Sequence, residues 1–150
     1  MKVLVSACVF GKNVRWNGSN KISESVMKWA EDNEIELIPV CPENELFGTP
    51  RSTIRLVQID NEIVADMKST NIMQQLDKKS IEILQRYPEA KGFIGIYGSP
   101  SCGISVGVKN LGNVVKGSMD KNATIPTTEA GHIGNSRSSK QFLDRLKTQS

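Results

Sequence analysis

Three residues carry most of the chemical potential of this 150-residue chain: Cys8, Cys41 and Cys102. An odd number of thiols cannot pair off completely. The opening run MKVLVSACVFGKN reads as a first strand and lacks the cleavage region of an export signal. Reduced thiols or metal-bound thiolates in a cytoplasmic protein are therefore expected. Free cysteines are also common core residues, so their positions must decide. Cys8 follows the apolar run Lys2–Ala7, Cys41 follows Ile35–Val40, and Cys102 follows Phe93–Tyr97. Each run reads as a buried strand. The cysteines are too far apart for a local CxxC motif. A parallel sheet would nevertheless bring all three to its carboxyl edge, where open α/β sheets bind their ligands.

Three thiolates suit two kinds of centre. A catalytic zinc takes three protein ligands and keeps one position open. A cubane iron–sulfur cluster normally takes four cysteines, so three would leave one iron free to act as a soft Lewis acid. Spacing alone does not choose between them. The chain has one histidine, which excludes a multi-histidine site within one chain. His132, between glycine-containing stretches, reads as a surface residue and not as a fourth ligand. Glu43 in Cys-Pro-Glu could relay protons beside such a centre, and Ser99 in Ser-Pro-Ser-Cys-Gly could hold water or substrate. On these residues alone the blander reading is favoured, with Glu43 a solvated loop acid and Ser99 a turn residue. Arg15, Lys21, Arg51 and Arg55 could line an anion site near the first two loops. Trp16 and Trp29 both suit the core, and Trp16, in a loop, could instead stack on a base. No glycine pattern matches a P-loop or dinucleotide fingerprint.

The elements that would position these groups follow from periodicity. Ile22, Val26, Met27, Trp29 and Ala30 predict a first helix ending near Asp32-Asn33. Residues 42–53 predict a loop, from Pro42, Gly48 and Pro50. Arg55–Ile59 and Ile63–Ala65 predict a hairpin beside the main sheet. Leu76, Ser80, Ile83, Leu84 and Tyr87 predict a second helix stopped by Pro88. Residues 104–135 predict one weak strand at Val114-Val115 and much irregular chain. Ser138 and Gln141 predict a capping box before a last helix carrying Phe142, Leu143 and Leu146. Alternating strands and helices imply βαβ units. The expected fold is α/β, a compact three-layer domain over residues 1–150 with a mostly parallel, Rossmann-like sheet.

Composition agrees. Hydrophobic residues make up 38% and charged residues 23% of the chain, which argues against general disorder. With 19 Lys+Arg against 16 Asp+Glu, the net charge is +3. That suits anionic small molecules and does not call for a nucleic acid polymer. No apolar run approaches the roughly 18 residues of a membrane span.

Val5-Ser6-Ala7-Cys8 with Gly11 and Val14-Arg15-Trp16-Asn17-Gly18 resembles the opening signature of a bacterial family first catalogued as a domain of unknown function, which includes the thiouracil desulfurases. Pro39-Val40-Cys41-Pro42-Glu43 with Gly48-Thr49-Pro50-Arg51 resembles its second block, and Ser99-Pro100-Ser101-Cys102-Gly103 its third. The resemblance implies a [4Fe-4S] cluster on Cys8, Cys41 and Cys102, with the fourth iron free for substrate sulfur. It implies redox-neutral desulfuration of thiouracil or a thiouracil nucleotide, giving uracil and sulfide. Glu43 and Ser99 would be catalytic, and Arg15, Arg51 and Ser101 would contact the thiopyrimidine. The chain departs from the family at Trp16-Asn17, often Tyr-Asp, and at Ile96, often lysine. Those positions are expected to face the ligand. The competing expectations are a Cys₃ zinc hydrolase, whose usual deaminase spacing is absent, and a non-catalytic iron–sulfur or zinc-binding redox sensor.

Overall fold

The computed structural model describes residues 1–149. Five residues of alternating direction, β1 (Lys2–Ser6), form its central strand. Val3 and Val5 point to one face and Leu4 to the other, as the two-residue strand period requires. The chain then runs through α1 (Glu24–Asp32), β2 (Glu36–Val40), α2 (Pro42–Phe47), β3 (Arg55–Ile59), β4 (Glu62–Met67), β5 (Thr70–Asn71), α3 (Met73–Arg86) and β6 (Ala90–Gly95). It ends with β7 (Val106–Lys109), β8 (Val114–Val115), α4 (Ser118–Asn122), β9 (Thr127–Glu129), α5 (Ala130–Ile133) and α6 (Ser136–Lys147).

The main sheet has the order β2-β1-β6-β9, and all its pairings are parallel. On one face, Val3, Val5 and Ile94 pack against Val26 and Ala30 of α1, Ile133 of α5, and Phe142 and Leu146 of α6. On the other, Leu4, Val40 and Phe93 pack against Ile83 of α3 and Met119 of α4. These are the three expected layers of an α/β fold. The chain leaves β1 for β2 on one side and returns to β6 on the other. The strand order therefore reverses beside β1, at the edge where such sheets open a crevice.

Several expectations need correction. Residues 42–53 are not all loop, because Pro42–Phe47 forms α2. Proline is well placed at a first helical position, where its missing N–H costs nothing. The β3–β4 hairpin forms at Asp60-Asn61, both at positive φ. It lies in a second, mixed sheet of order β5-β4-β3-β7-β8, not at the edge of the first. That sheet packs Leu56, Ala65, Val106 and Val108 on Leu76 of α3. The third main strand is Ala90–Gly95 rather than Phe93–Tyr97. Its partner β1 ends at Ser6, and Ile96 N–H turns instead to Cys102 O at 3.1 Å. Residues 104–135 hold three short strands and two short helices, not one weak strand. The last helix is capped by Asn135, whose side chain accepts from Ser138 N–H at 2.9 Å, so Ser138 lies inside the helix. Ile22 precedes α1, whose cap is Ser23. No helix among the described residues is long and apolar enough to cross a membrane.

Candidate metal and substrate site

The three cysteines sit on three strand exits and line one cavity of about 260 Å³. Cys8 lies in the turn after β1, where Ala7 N–H reaches across to Val40 O at 2.8 Å. Its carbonyl accepts from Gly11 N–H at 3.1 Å and from Lys21 N–H at 2.9 Å, which folds the 8–21 loop back on itself. Gly11 has φ 103°, a region open to glycine. Cys41 is the cap of α2, and its Sγ accepts from Asn44 N–H at 3.4 Å. Cys102 is buried in the Ser99–Gly103 turn, where Gly103 N–H donates to Ser99 O at 2.7 Å. A side chain at Gly95 would strike the Cys102 carbonyl, so the strand and this turn meet only because Gly95 has no Cβ.

Burial pushes all three thiols up. For Cys41 it does so to about 11, outweighing the Asn44 N–H. For Cys8, Arg15 partly offsets it. For Cys102, burial and then the nearby Cys41 raise the thiol well above its ordinary range. Cys102 feels both other thiols and Cys41 feels Cys8, as expected of one shared site. Binding a metal would have to displace their protons. Ser6 Oγ is buried and has no hydrogen-bond partner among the described residues.

A carboxylate–hydroxyl cluster stands on the same wall. Glu43, on α2 two residues past Cys41, is 9% exposed. Its Oε2 accepts from Ser101 Oγ at 2.5 Å and from Ser99 Oγ at 3.2 Å. Ser99 Oγ also accepts from Cys102 N–H at 3.1 Å. The other carboxylate oxygen lies 3.6 Å from Arg51 Nε. Arg51 Nη1 donates to Val14 O at 2.7 Å, to Gly48 O at 3.1 Å and to Thr49 Oγ1 at 3.2 Å. One guanidinium thus ties the 8–21 loop to the end of α2 and faces Glu43. A lysine cannot span that fork. Arg51→Lys is expected to lower stability by about 1–3 kcal/mol through unmade buried hydrogen bonds, read as a lower urea midpoint at unchanged slope.

Of the residues singled out from sequence, Glu43, Ser99, Arg15, Arg51, Ser101 and Trp16 line the cavity with the cysteines, as does Ile96. Lys21 does not. Arg55 lines a neighbouring depression with Trp16, Arg51 and Lys68. His132 is exposed, 3.8 Å from Glu129, and lies outside the cavity. Trp29 packs on Phe142 with ring centres 5.8 Å apart. Sequence reasoning missed Ser6 and Tyr97. Tyr97, expected in a strand, stands at the cavity, 71% exposed. Its place directly before Gly-Ser-Pro, at a strand exit, was the available signal.

An α/β sheet carrying three thiols, a hydroxyl-bonded carboxylate and two arginines beside its switch point has the parts of a metal-dependent or thiol-dependent small-molecule site. The profile of the 2-thiouracil desulfurase family matches residues 3–130, and the chain belongs to that family. A solved structure described as a [4Fe-4S]-dependent thiouracil desulfidase, TudS, is similar over 99% of both chains, with a TM-score of 0.70 and 19% identity. That likeness shows the fold. No curated protein sequence matches the chain.

Proposed function

We propose that this protein removes sulfur from a thiolated uracil without net redox change, using a [4Fe-4S] cluster held by Cys8, Cys41 and Cys102. The observation that carries this reading is the single cavity shared by three thiols, Glu43, Ser99 and Ser101. The donor set fits the cluster. The chain has no fourth cysteine, and its one histidine lies outside the cavity. A three-cysteine zinc site is the alternative; what favours the cluster is the family of this chain and the [4Fe-4S] dependence described for the similar solved structure. When bound, the cluster would supply a soft Lewis acid for the substrate's sulfur.

The chain's own residues do the rest. The net reaction exchanges thiocarbonyl sulfur for water oxygen, and two protons leave water as hydrogen sulfide forms. Glu43 takes a proton from the attacking water and returns it to the departing sulfur. Ser99 and Ser101, both hydrogen-bonded to Glu43 Oε2, hold water or substrate against that carboxylate. Arg15 and Arg51 give the cavity a positive wall for an electron-rich ring or its anion. Trp16, Arg51 and Thr53 line both the cavity and the neighbouring depression, where Arg55 and Lys68 outnumber Asp66, and these cations beside the cavity support a thiouracil nucleotide whose phosphate lies there.

The test is anaerobic reconstitution with iron and sulfide, followed by incubation with 2-thiouracil, 4-thiouracil and their nucleoside monophosphates. About four iron and four sulfide per chain are expected, with sulfide and uracil product released one for one. Absence of iron, or stoichiometric zinc in its place, overturns the proposal. A nucleotide with no lower KM than its free base removes the phosphate assignment.

A further inference from the structure

The turn that carries Ser99, Ser101 and Cys102 lies beyond the main sheet. Its carbonyls are held by α4. Gly117 N–H donates to Gly103 O at 2.8 Å, Ser118 N–H to Pro100 O at 2.9 Å and Met119 N–H to Ser101 O at 2.8 Å. The approach is so close that a Cβ on Gly117 would lie 2.6 Å from Gly103 O and 2.9 Å from Ser99 O. α4 has five residues, too few to hold its own shape in water. What positions α4 therefore positions the turn.

Met119 anchors α4 by packing in the core with Leu4, Ile83 and Phe93. The other anchor is polar. Ser118 Oγ donates to Asp77 Oδ1 of α3 at 2.7 Å, and Ser80 Oγ donates to Ser118 Oγ at 3.1 Å. Asn122 Nδ2 donates both to Asp77 Oδ1 at 3.1 Å and to Ser118 O at 2.8 Å. Lys121 Nζ lies 3.0 Å from Asp77 at the exposed rim. An ionised carboxylate only accepts, so Asp77 sets the direction of the whole chain: Ser118 must donate to it and is left to accept from Ser80. Bonds of this charge-assisted kind are stronger than neutral ones.

We propose that Asp77, acting through Ser118 and α4, is a positioning residue for Ser99, Ser101 and Cys102. The inference deepens the desulfuration reading and rests on it for its turnover readout only. A shift of α4 moves three carbonyls of the turn together. It would thereby move two hydroxyls against Glu43 and one thiol against its two partners. Catalytic groups tolerate about 0.5 Å of misplacement.

The test compares Asp77→Ala, Asp77→Asn, Ser118→Ala and Lys121→Met in the full chain. All are assayed well below their own melting midpoints, and Cys102 alkylation is also timed in the metal-free protein by peptide mass. Asp77→Ala and Ser118→Ala are expected to lose about tenfold or more in kcat, with KM within about twofold of the parent, and to expose Cys102 to faster alkylation. Asp77→Asn keeps an oxygen that accepts from Ser118 and is expected to restore most of both. Lys121→Met is expected to leave both near the parent. If Asp77→Ala lowers only the melting midpoint, with kcat and Cys102 alkylation as in the parent, the proposal is overturned. An Asp77→Asn variant as impaired as Asp77→Ala overturns it too. A parent protein that releases no sulfide would sink the desulfuration reading, and the alkylation rates would still decide the role of Asp77.

Discussion

Cys102→Ala is expected to give a folded chain that keeps no iron after anaerobic reconstitution and releases no sulfide. Cys102 is 4% exposed and packs beside Leu4, Val40, Phe93 and Met119. Replacing its sulfur by hydrogen leaves a small void costing about 1 kcal/mol, well within what a domain of this size tolerates. Loss of iron would then report the missing ligand and not unfolding. The electrostatics point the same way. Burial and the neighbouring Cys41 raise the Cys102 thiol, so without a cation it keeps its proton. Bound metal charge would favour the thiolate, and two remaining cysteines would offer the cluster one ligand fewer. The measurement is iron and acid-labile sulfide per chain, with a thermal melt on the same sample. A variant that melts near the parent temperature and retains full iron would remove Cys102 from the ligand set.

Glu43→Gln is expected to keep the iron and lose turnover by roughly 10²–10⁴-fold, the usual worth of a positioned acid–base group. Glutamine fills the same space and still offers one oxygen to Ser99 and Ser101. It cannot take a proton from water. The neighbouring Arg51 keeps its bonds to Val14, Gly48 and Thr49, so the loop should stay in place. A fall in kcat at unchanged iron content is the expected signature. Full turnover would show that Glu43 moves no proton, whereas loss of iron together with activity would show that it supports the thiols instead.

The helix α2, on which Glu43 sits, was hidden in the sequence by its own signals. Pro42, Gly48 and Pro50 are loop formers, and only the tertiary setting makes Cys41 a cap and Pro42 a first helical residue. The strand β9 was hidden differently. Thr127–Glu129 is three residues long, too short for a period to show, and it exists because β6 offers an open edge: Phe93, Ile94 and Gly95 pair with it. The capping box at Ser138 and Gln141 gave the right helix and the wrong start, because Asn135 is an equally good cap three residues earlier. By contrast β1, α1, α3 and the hairpin turn were legible, since each carries a long enough apolar period or a paired turn signal. The corrected end of β6 is a matter of partners, as Ile96 and Tyr97 are apolar enough for a strand and have no strand to pair with.

For the site, the sequence by itself determined the parts: a thiol after each of three buried apolar runs, an acid two residues past the second thiol, and hydroxyls just before the third. Local apolar periodicity and turn chemistry are short-range, and they are written in neighbouring residues. Only the tertiary structure decided which parts meet. Ser99 and Ser101 reach Glu43 across 56 and 58 residues, Arg51 braces a loop 37 residues upstream, and Asp77 holds Ser118 across 41. These contacts depend on the order β2-β1-β6-β9, which is set by how both faces of one sheet bury their apolar side chains at once, a condition that no single stretch of the chain can express.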